Sequence, residues 1–285
     1  MTTIIYAILV LVLTGGVSAV ILYFVAQKFK VYEDPRIDLV AEKLPGANCG
    51  GCGLTGCRAL AEFIVKQESL EGLRCPVGGD DAMAEIANVL GLEASTAAPQ
   101  IAVIRCNGGK INTQAKFEYE GAKDCLYAHM NISSQGGCPN ACLGLGNCVA
   151  VCQFDAIYIN EETGLPVVDE EKCVACGACV KTCPRKVIEL RNKGIKNRRI
   201  FVSCINKEKG AVAKKNCAVA CIGCGKCQKV CAFDAITVEK SLAYIDYSKC
   251  KLCRKCFAEC PTGAIQEINF PAKKVAEVKE ETTEA

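Results

Sequence analysis

Twenty-four of the 285 residues are cysteine, and their spacing points to one kind of chemistry. Cys173, Cys176, Cys179 and Cys183 follow the pattern C-x2-C-x2-C-x3-C, closed by Pro184. Cys250, Cys253, Cys256 and Cys260 repeat it, closed by Pro261. Cys221, Cys224, Cys227 and Cys231 form a third copy, with Ala232 in the proline position. Thiolates so spaced wrap [4Fe-4S] cubanes: three hold one cluster and the fourth ligates its neighbour. A different group opens the chain: Cys49, Cys52 and Cys57 in a glycine-rich stretch, completed by Cys75 before Pro76. Glycines let the backbone bend until three sulfurs converge and N–H groups can approach sulfide.

Laid against itself, the chain shows a fourth, degenerate copy. Residues 138–157, CPNACLGLGNCVAVCQFDAI, align without a gap on residues 217–236, CAVACIGCGKCQKVCAFDAI. Cys138, Cys142, Cys148 and Cys152 fall on Cys217, Cys221, Cys227 and Cys231, and Leu145 falls on Cys224. The first repeat therefore lacks one ligand, and Cys138 is its nearest substitute. The expected ligand sets are Cys173, Cys176, Cys179 with Cys152; Cys138, Cys142, Cys148 with Cys183; Cys250, Cys253, Cys256 with Cys231; Cys221, Cys224, Cys227 with Cys260; and Cys49, Cys52, Cys57 with Cys75. Five clusters use twenty cysteines. Cys106, Cys125, Cys204 and Cys217 are left, the number one further cluster needs. Cys106 and Cys204 both end β-like runs, IAVIRC and RIFVSC, as equivalent positions would. Cys138 can exchange roles with Cys217, and four inert thiols are the alternative, so a sixth cluster stays open.

These ligands need elements to hold them. From Ile4 to Ala26 the chain carries no Asp, Glu, Lys or Arg. At about 1.5 Å per residue this run is about 35 Å long as a helix, enough to cross a bilayer core of about 30 Å. Lys28, Lys30 and Arg36 follow at once, which sets the N-terminus outside and the rest in the cytoplasm. Val17-Ser18-Ala19 offers a cleavage site, but no basic region precedes it and the apolar run continues beyond it. Cytoplasmic thiols stay reduced, so these cysteines serve metal rather than disulfides. The expected fold is α+β: a single N-terminal transmembrane helix, a small 4Fe-4S domain and two bacterial-type 2[4Fe-4S] ferredoxin-like modules with short strands at AIYI, LPVVD, AITV and LAYID. The boundaries are 1–27 for the anchor, 28–95 for the N-terminal 4Fe-4S domain, 96–135 for a connecting segment with short strands, 136–192 for module 1, 193–216 for a connector, 217–270 for module 2 and 271–285 for a charged tail. Residues 91–100 read as a linker.

Other chemistries find little support. The formal charge is only +3, which argues against a nucleic-acid partner. Five oxidised clusters at roughly −2 each would bring it to about −7. There is a single histidine, His129, and no catalytic triad or Walker motif. Gly144-Leu145-Gly146 lies inside a cysteine run and is no dinucleotide fingerprint. No catalytic residue and no flavin or NAD site is expected on this chain. Lys193, Lys196, Arg198 and Arg199 form the densest basic stretch, either a solvated face or a dock for an acidic electron carrier.

The anchor, the segment LPGANCGGCGLTGC with Cys75-Pro76, and the ferredoxin repeats together resemble the iron–sulfur B subunit of the Rnf complex, a membrane ferredoxin:NAD+ oxidoreductase that pumps Na+ or H+. The resemblance covers nearly the whole chain, which departs from short members in its second ferredoxin module and four extra cysteines. It implies a cell-membrane iron–sulfur subunit that takes electrons from reduced soluble ferredoxin and relays them to partner subunits, where flavin and NAD sit. One helix whose apolar run lacks Asp, Glu, Lys, Arg and His forms no ion pathway by itself, so translocation belongs to those partners. A relay serving another membrane reductase or a hydrogenase shares the same spacing. A membrane-tethered zinc-binding regulator is the alternative from a different class.

Overall fold

The computed structural model describes residues 2–28, 33–67, 69–71, 73–93 and 98–271. Lys30, residues 94–97 of the expected linker and the tail from 272 lie outside the described residues. Helix α1, Thr2–Lys28, carries the apolar run, and none of its apolar window is buried against protein. A helix this long with apolar residues on every side belongs in lipid.

Three helices make the N-terminal domain: α2 (Pro35–Lys43), α3 (Cys57–Val65) and α4 (Gly79–Leu90). The Asp34 carboxylate caps α2 by accepting from the Arg36 N–H at 2.9 Å, and Pro35 takes the first helical position, where a missing N–H costs nothing. Val40, Leu60, Ile64, Met83 and Ile86 form its core. The α3 start is fixed from a distance: Asn48 Oδ1 accepts from the Cys57 N–H at 2.8 Å. That bond folds residues 49–56 into a closed loop.

The rest of the chain forms two similar halves. The first contains β1 (Gln100–Ile104), α5 (Gly109–Asn112), α6 (Cys125–Asn131), α7 (Asn147–Ala150), β2 (Ile157–Ile159), β3 (Pro166–Val168), α8 (Ala178–Thr182) and β4 (Ile188–Asn192). The second contains β5 (Arg199–Val202), α9 (Gly210–Asn216), α10 (Lys226–Lys229), β6 (Ile236–Glu239), β7 (Leu242–Ile245), α11 (Lys255–Ala258) and β8 (Ile265–Ile268). All four sheets are antiparallel pairs: β1–β4, β2–β3, β5–β8 and β6–β7. An isolated two-stranded ribbon is marginal in water. Here the ribbons are held by apolar packing, Ile157, Val187 and Ile188 in one cluster and Ile200, Ile236 and Ile265 in another.

β1 lies in the segment read as a connection, yet it pairs with β4, with Ile104 opposite Ile188. β5 does the same to β8, with Val202 opposite Ile265. The strands that lead to Cys106 and Cys204 thus occupy equivalent places in the two halves. Their ends also meet, because the Asn107 N–H donates to the Ser203 carbonyl at 3.2 Å.

A polar knot ties the halves together. Arg191 is 1% exposed and lies over the rings of Tyr244, Phe201 and Tyr247, at 5.2, 5.7 and 5.7 Å. It pairs with Glu189, which Arg105 also contacts at 3.2 Å. Arg105 in turn donates to the carbonyls of Val202 and Cys204, both at 3.3 Å.

Candidate iron–sulfur sites

Each cysteine run turns through two left-handed residues placed on either side of its second position. They are Ala175 and Gly177, Gly223 and Gly225, Leu252 and Arg254, and Gly144 and Gly146, with φ from 55° to 87°. This conformation costs a non-glycine residue roughly 1–2 kcal/mol, which accounts for glycine at five of the eight places. Successive turns of this kind aim N–H groups inward and build an anion-binding hollow. A short helix then starts and carries the third cysteine: Cys148 on α7, Cys179 on α8, Cys227 on α10 and Cys256 on α11.

Four hollows result, one at each run. Cys152, Cys173, Cys176 and Cys179 line one. Cys221, Cys224, Cys227 and Cys260 line a second, and Cys231, Cys250, Cys253 and Cys256 a third. In each of these, three cysteines of one run meet the last cysteine of its partner run.

The fourth cavity departs from expectation. It is lined by Cys142, Cys148, Cys183 and Cys125, not by Cys138. Leu145 stands where the other runs place a cysteine, and Cys125 comes to the gap from α6. A side-chain clasp brings it there: Asn147 Oδ1 accepts from the Cys125 N–H at 2.8 Å, while Asn147 Nδ2 donates to Asp124 at 2.9 Å. Asp124 also caps α6 by accepting from the Tyr127 N–H at 2.8 Å.

Cys138 has other company. Burial pushes its thiol up to about 11, and the charges of Cys106 and Cys204 push the same way. Burial raises Cys106 too, with Cys204 and Cys217 adding to the shift. A Cβ placed on Gly108 would lie 3.6 Å from Cys106 Sγ and 3.7 Å from Cys217 Sγ. The leftover set therefore gathers as Cys106, Cys138, Cys204 and Cys217, with Cys125 and Cys138 exchanged relative to the sequence expectation. In the N-terminal domain, Cys75 is raised by burial and then by the charges of Cys57 and Cys49, and its Sγ accepts from the Gly78 N–H at 3.3 Å. Cys52 and Cys57 pack on the same core.

Burial dominates the thiol energetics. It holds Cys148 and Cys227 near 11 and Cys179 and Cys256 near 12, so all four are protonated at neutral pH until a metal displaces the proton. Cys260 is the exception. Burial opposes its charge, but hydrogen bonds from the Thr262 and Ile265 N–H groups outweigh burial and hold it below the ordinary thiol value. Among the described residues, no three His, Cys, Asp or Glu side chains converge tightly enough for a single metal ion. Quartets of thiols spread around a cavity, with N–H groups aimed inward, fit a cubane in donor type and number.

The sites adjoin one another in a single order. Cys49 stands next to Cys176, where a Cβ on Gly51 would lie 2.8 Å from the Cys176 carbonyl oxygen, and Lys181 Nζ donates to the Gly50 carbonyl at 3.2 Å. Cys179 faces Cys148. The Cys142 N–H donates to Cys106 Sγ at 3.4 Å. Cys204, Cys221, Cys227 and Cys256 belong to one buried cluster in the second half. Gly51 meets backbone rather than a flexible side chain, so a larger residue must push the N-terminal domain away. Gly51→Val is expected to slow electron exchange between the N-terminal site and the Cys176 site while leaving iron content unchanged. Rapid-freeze EPR after flash reduction reads both quantities.

The cations of the expected basic dock are already engaged. Arg199 is 5% exposed and paired with Glu170, Lys193 donates to the Glu170 carbonyl, and Arg198 lies over Phe270. Only Lys196 stands exposed. His129 is exposed on α6 and lines none of the four cavities.

A lone apolar helix joined to cysteine-lined cavities of this kind defines a membrane-anchored iron–sulfur electron-transfer protein. Three family models match: a putative Fe-S cluster at residues 44–77, a 4Fe-4S binding domain at 166–189 and a 4Fe-4S dicluster domain at 220–264. The chain is 43% identical to the B subunit of the Na(+)-translocating ferredoxin:NAD(+) oxidoreductase complex of Acetobacterium woodii, over 88% of this chain and 74% of that protein. It is 40% identical to the B subunit of the ion-translocating oxidoreductase complex of Methanosarcina acetivorans, over 93% and 98%. It is 39% identical to the B subunit of the proton-translocating ferredoxin:NAD(+) oxidoreductase complex of Clostridium ljungdahlii, over 94% of each. The chain belongs to the B-subunit family of the Rnf complex and is the iron–sulfur electron-transfer subunit of such a translocating oxidoreductase.

Proposed function

We propose that this subunit accepts electrons from reduced soluble ferredoxin and delivers them to membrane partners that carry flavin, NAD chemistry and the passage of Na+ or H+. The observation that carries this reading is the single-file order of the cysteine quartets. They run from Cys231, Cys250, Cys253 and Cys256, through Cys221, Cys224, Cys227 and Cys260, to Cys106, Cys138, Cys204 and Cys217. They continue through Cys125, Cys142, Cys148 and Cys183, then Cys152, Cys173, Cys176 and Cys179, and end at Cys49, Cys52, Cys57 and Cys75 in the domain that follows the anchor. When occupied, each quartet supplies a [4Fe-4S] centre that takes up and releases one electron. The chain's residues decide which centres are neighbours.

In this reading residues 1–27 anchor the subunit with the N-terminus outside, and residues 28–95 hold the N-terminal site. Residues 136–192 and 217–270 are two ferredoxin-like modules. Each is completed by a strand from the segment before it, β1 from 96–135 and β5 from 193–216, and these segments also supply Cys106, Cys125 and Cys204. The apolar run of α1 has no Asp, Glu, Lys, Arg or His that could carry an ion across, which assigns translocation to partner subunits. Anaerobic iron and sulfide analysis tests the count: about 24 iron atoms per chain are expected from six cubanes. About 20 would remove one site, and stoichiometric zinc without iron would defeat the reading.

A further inference from the structure

The two halves repeat one backbone but treat one face in opposite ways. Cys176 in the first half corresponds to Cys253 in the second, and both stand between left-handed residues, Ala175 and Gly177 against Leu252 and Arg254. In the first half this face is covered by the loop of the N-terminal site, which approaches so closely that Gly51 has no room for a Cβ beside Cys176. The residues around Cys176 that line its cavity are small: Val174, Gly177 and Ala178. In the second half the same three positions are Lys251, Arg254 and Lys255. Lys251 and Lys255 stand exposed, and so does Cys253. Arg254 is spent on an ion pair with Glu267 and on the ring of Phe270. Lys251 and Lys255, with Lys249 just before Cys250, are exposed and form no ion pair among the described residues. The molecule thus shows how a cluster-bearing unit seats on this face, and then offers a second, open copy of the face ringed by cations.

We propose that the Cys253 face of the second half is the docking surface for an acidic, cluster-bearing soluble electron carrier, a ferredoxin, with Lys249, Lys251 and Lys255 meeting its carboxylates. The proposal rests on the reading that ferredoxin is the donor and adds where it lands. The exchange is one electron lost by the carrier and one gained at this site, with no bond made and no proton moved. Charged rims steer association more than they add affinity, and salt screens them. The occupied subunit carries net negative charge, so only a local cationic surface can draw in an acidic carrier.

The test uses the full-length, cluster-loaded subunit in detergent and the double variant Lys251→Glu, Lys255→Glu. Stopped-flow reduction by a reduced acidic [4Fe-4S] ferredoxin should lose about tenfold or more in second-order rate at low salt, with a flattened salt dependence. Reduction by dithionite and iron content should stay at wild-type values. Carbodiimide coupling of oxidised ferredoxin to wild type should map to Lys249, Lys251 or Lys255 by mass spectrometry. A wild-type rate and salt slope in the double variant, or cross-links confined to other lysines, overturns this dock while leaving ferredoxin as donor. A wild-type subunit that dithionite reduces and ferredoxin does not overturns both the dock and the reading beneath it.

Discussion

Replacing Cys125 by alanine should remove about four iron atoms per chain, those of one cubane, and the site lost should be the one shared with Cys142, Cys148 and Cys183. Cys138→Ala should remove as many from the site shared with Cys106, Cys204 and Cys217, with a different EPR signature. The two losses can be told apart by rescue. Leu145 lies between the left-handed Gly144 and Gly146 and lines the cavity that Cys125 serves, at the place Cys224 holds in the second half. Leu145→Cys should therefore restore the iron of Cys125→Ala and do nothing for Cys138→Ala. The opposite pattern would return Cys138 to the cavity of the first half. Because the sites stand in single file, loss of either should also stop electrons given to the Cys253 end from reaching the Cys49 end.

Glu189→Gln should be the most destabilising conservative change at the seam between the halves. Its carboxylate contacts both Arg191, 1% exposed at the side chain, and Arg105, 11% exposed. Among the described residues each guanidinium donates elsewhere only to carbonyl oxygens, and Arg191 Nη2 has no partner. Neutralising the one carboxylate strands two buried cations, and breaking a buried pair costs about 3–5 kcal/mol. For a protein of this size that is roughly 2–4 °C of melting temperature per kcal/mol. Since cluster proteins unfold irreversibly, the half-life of visible cluster absorbance at a fixed elevated temperature is the better measure. Pairing Glu189→Leu with Arg191→Met and Arg105→Met should recover most of the loss, as apolar replacements of buried ion networks often do. A Glu189→Gln half-life equal to wild type would mean that water reaches the knot.

The sequence makes plain whatever depends on local spacing. The grouping of Cys173, Cys176 and Cys179 with Cys152 follows from the run and its crossing ligand, and the cavity is lined accordingly. The strands β2, β3, β6 and β7 fall on the apolar pieces that flank the runs. What escaped depends on contacts between distant side chains. The choice of Cys125 over Cys138 turns on Asn147 reaching Asp124 and the Cys125 N–H, where the aligned residue of the other half is Lys226. The missing cysteine at Leu145 called for some outside thiol; proximity in the chain pointed to Cys138, whereas Cys125 lines the cavity. Likewise Arg198 and Arg199 read as a basic patch because Glu170 and Phe270, which occupy them, lie far off in sequence.

The gathering of Cys106, Cys138, Cys204 and Cys217 has a consequence for biosynthesis. Its members span the interval from the start of the first half to the first cysteine run of the second. A ribosome adding about 5–20 residues per second finishes the first half about one to five seconds before it adds Cys217. Through that interval the nascent chain presents Cys106 and Cys138 with half of their quartet missing, and closing so long a loop adds its own entropic cost. The four thiols that join the halves are then brought together late along the chain. A chain terminated before Cys204 would carry the first half with Cys106 and Cys138 lacking the other two thiols of their quartet.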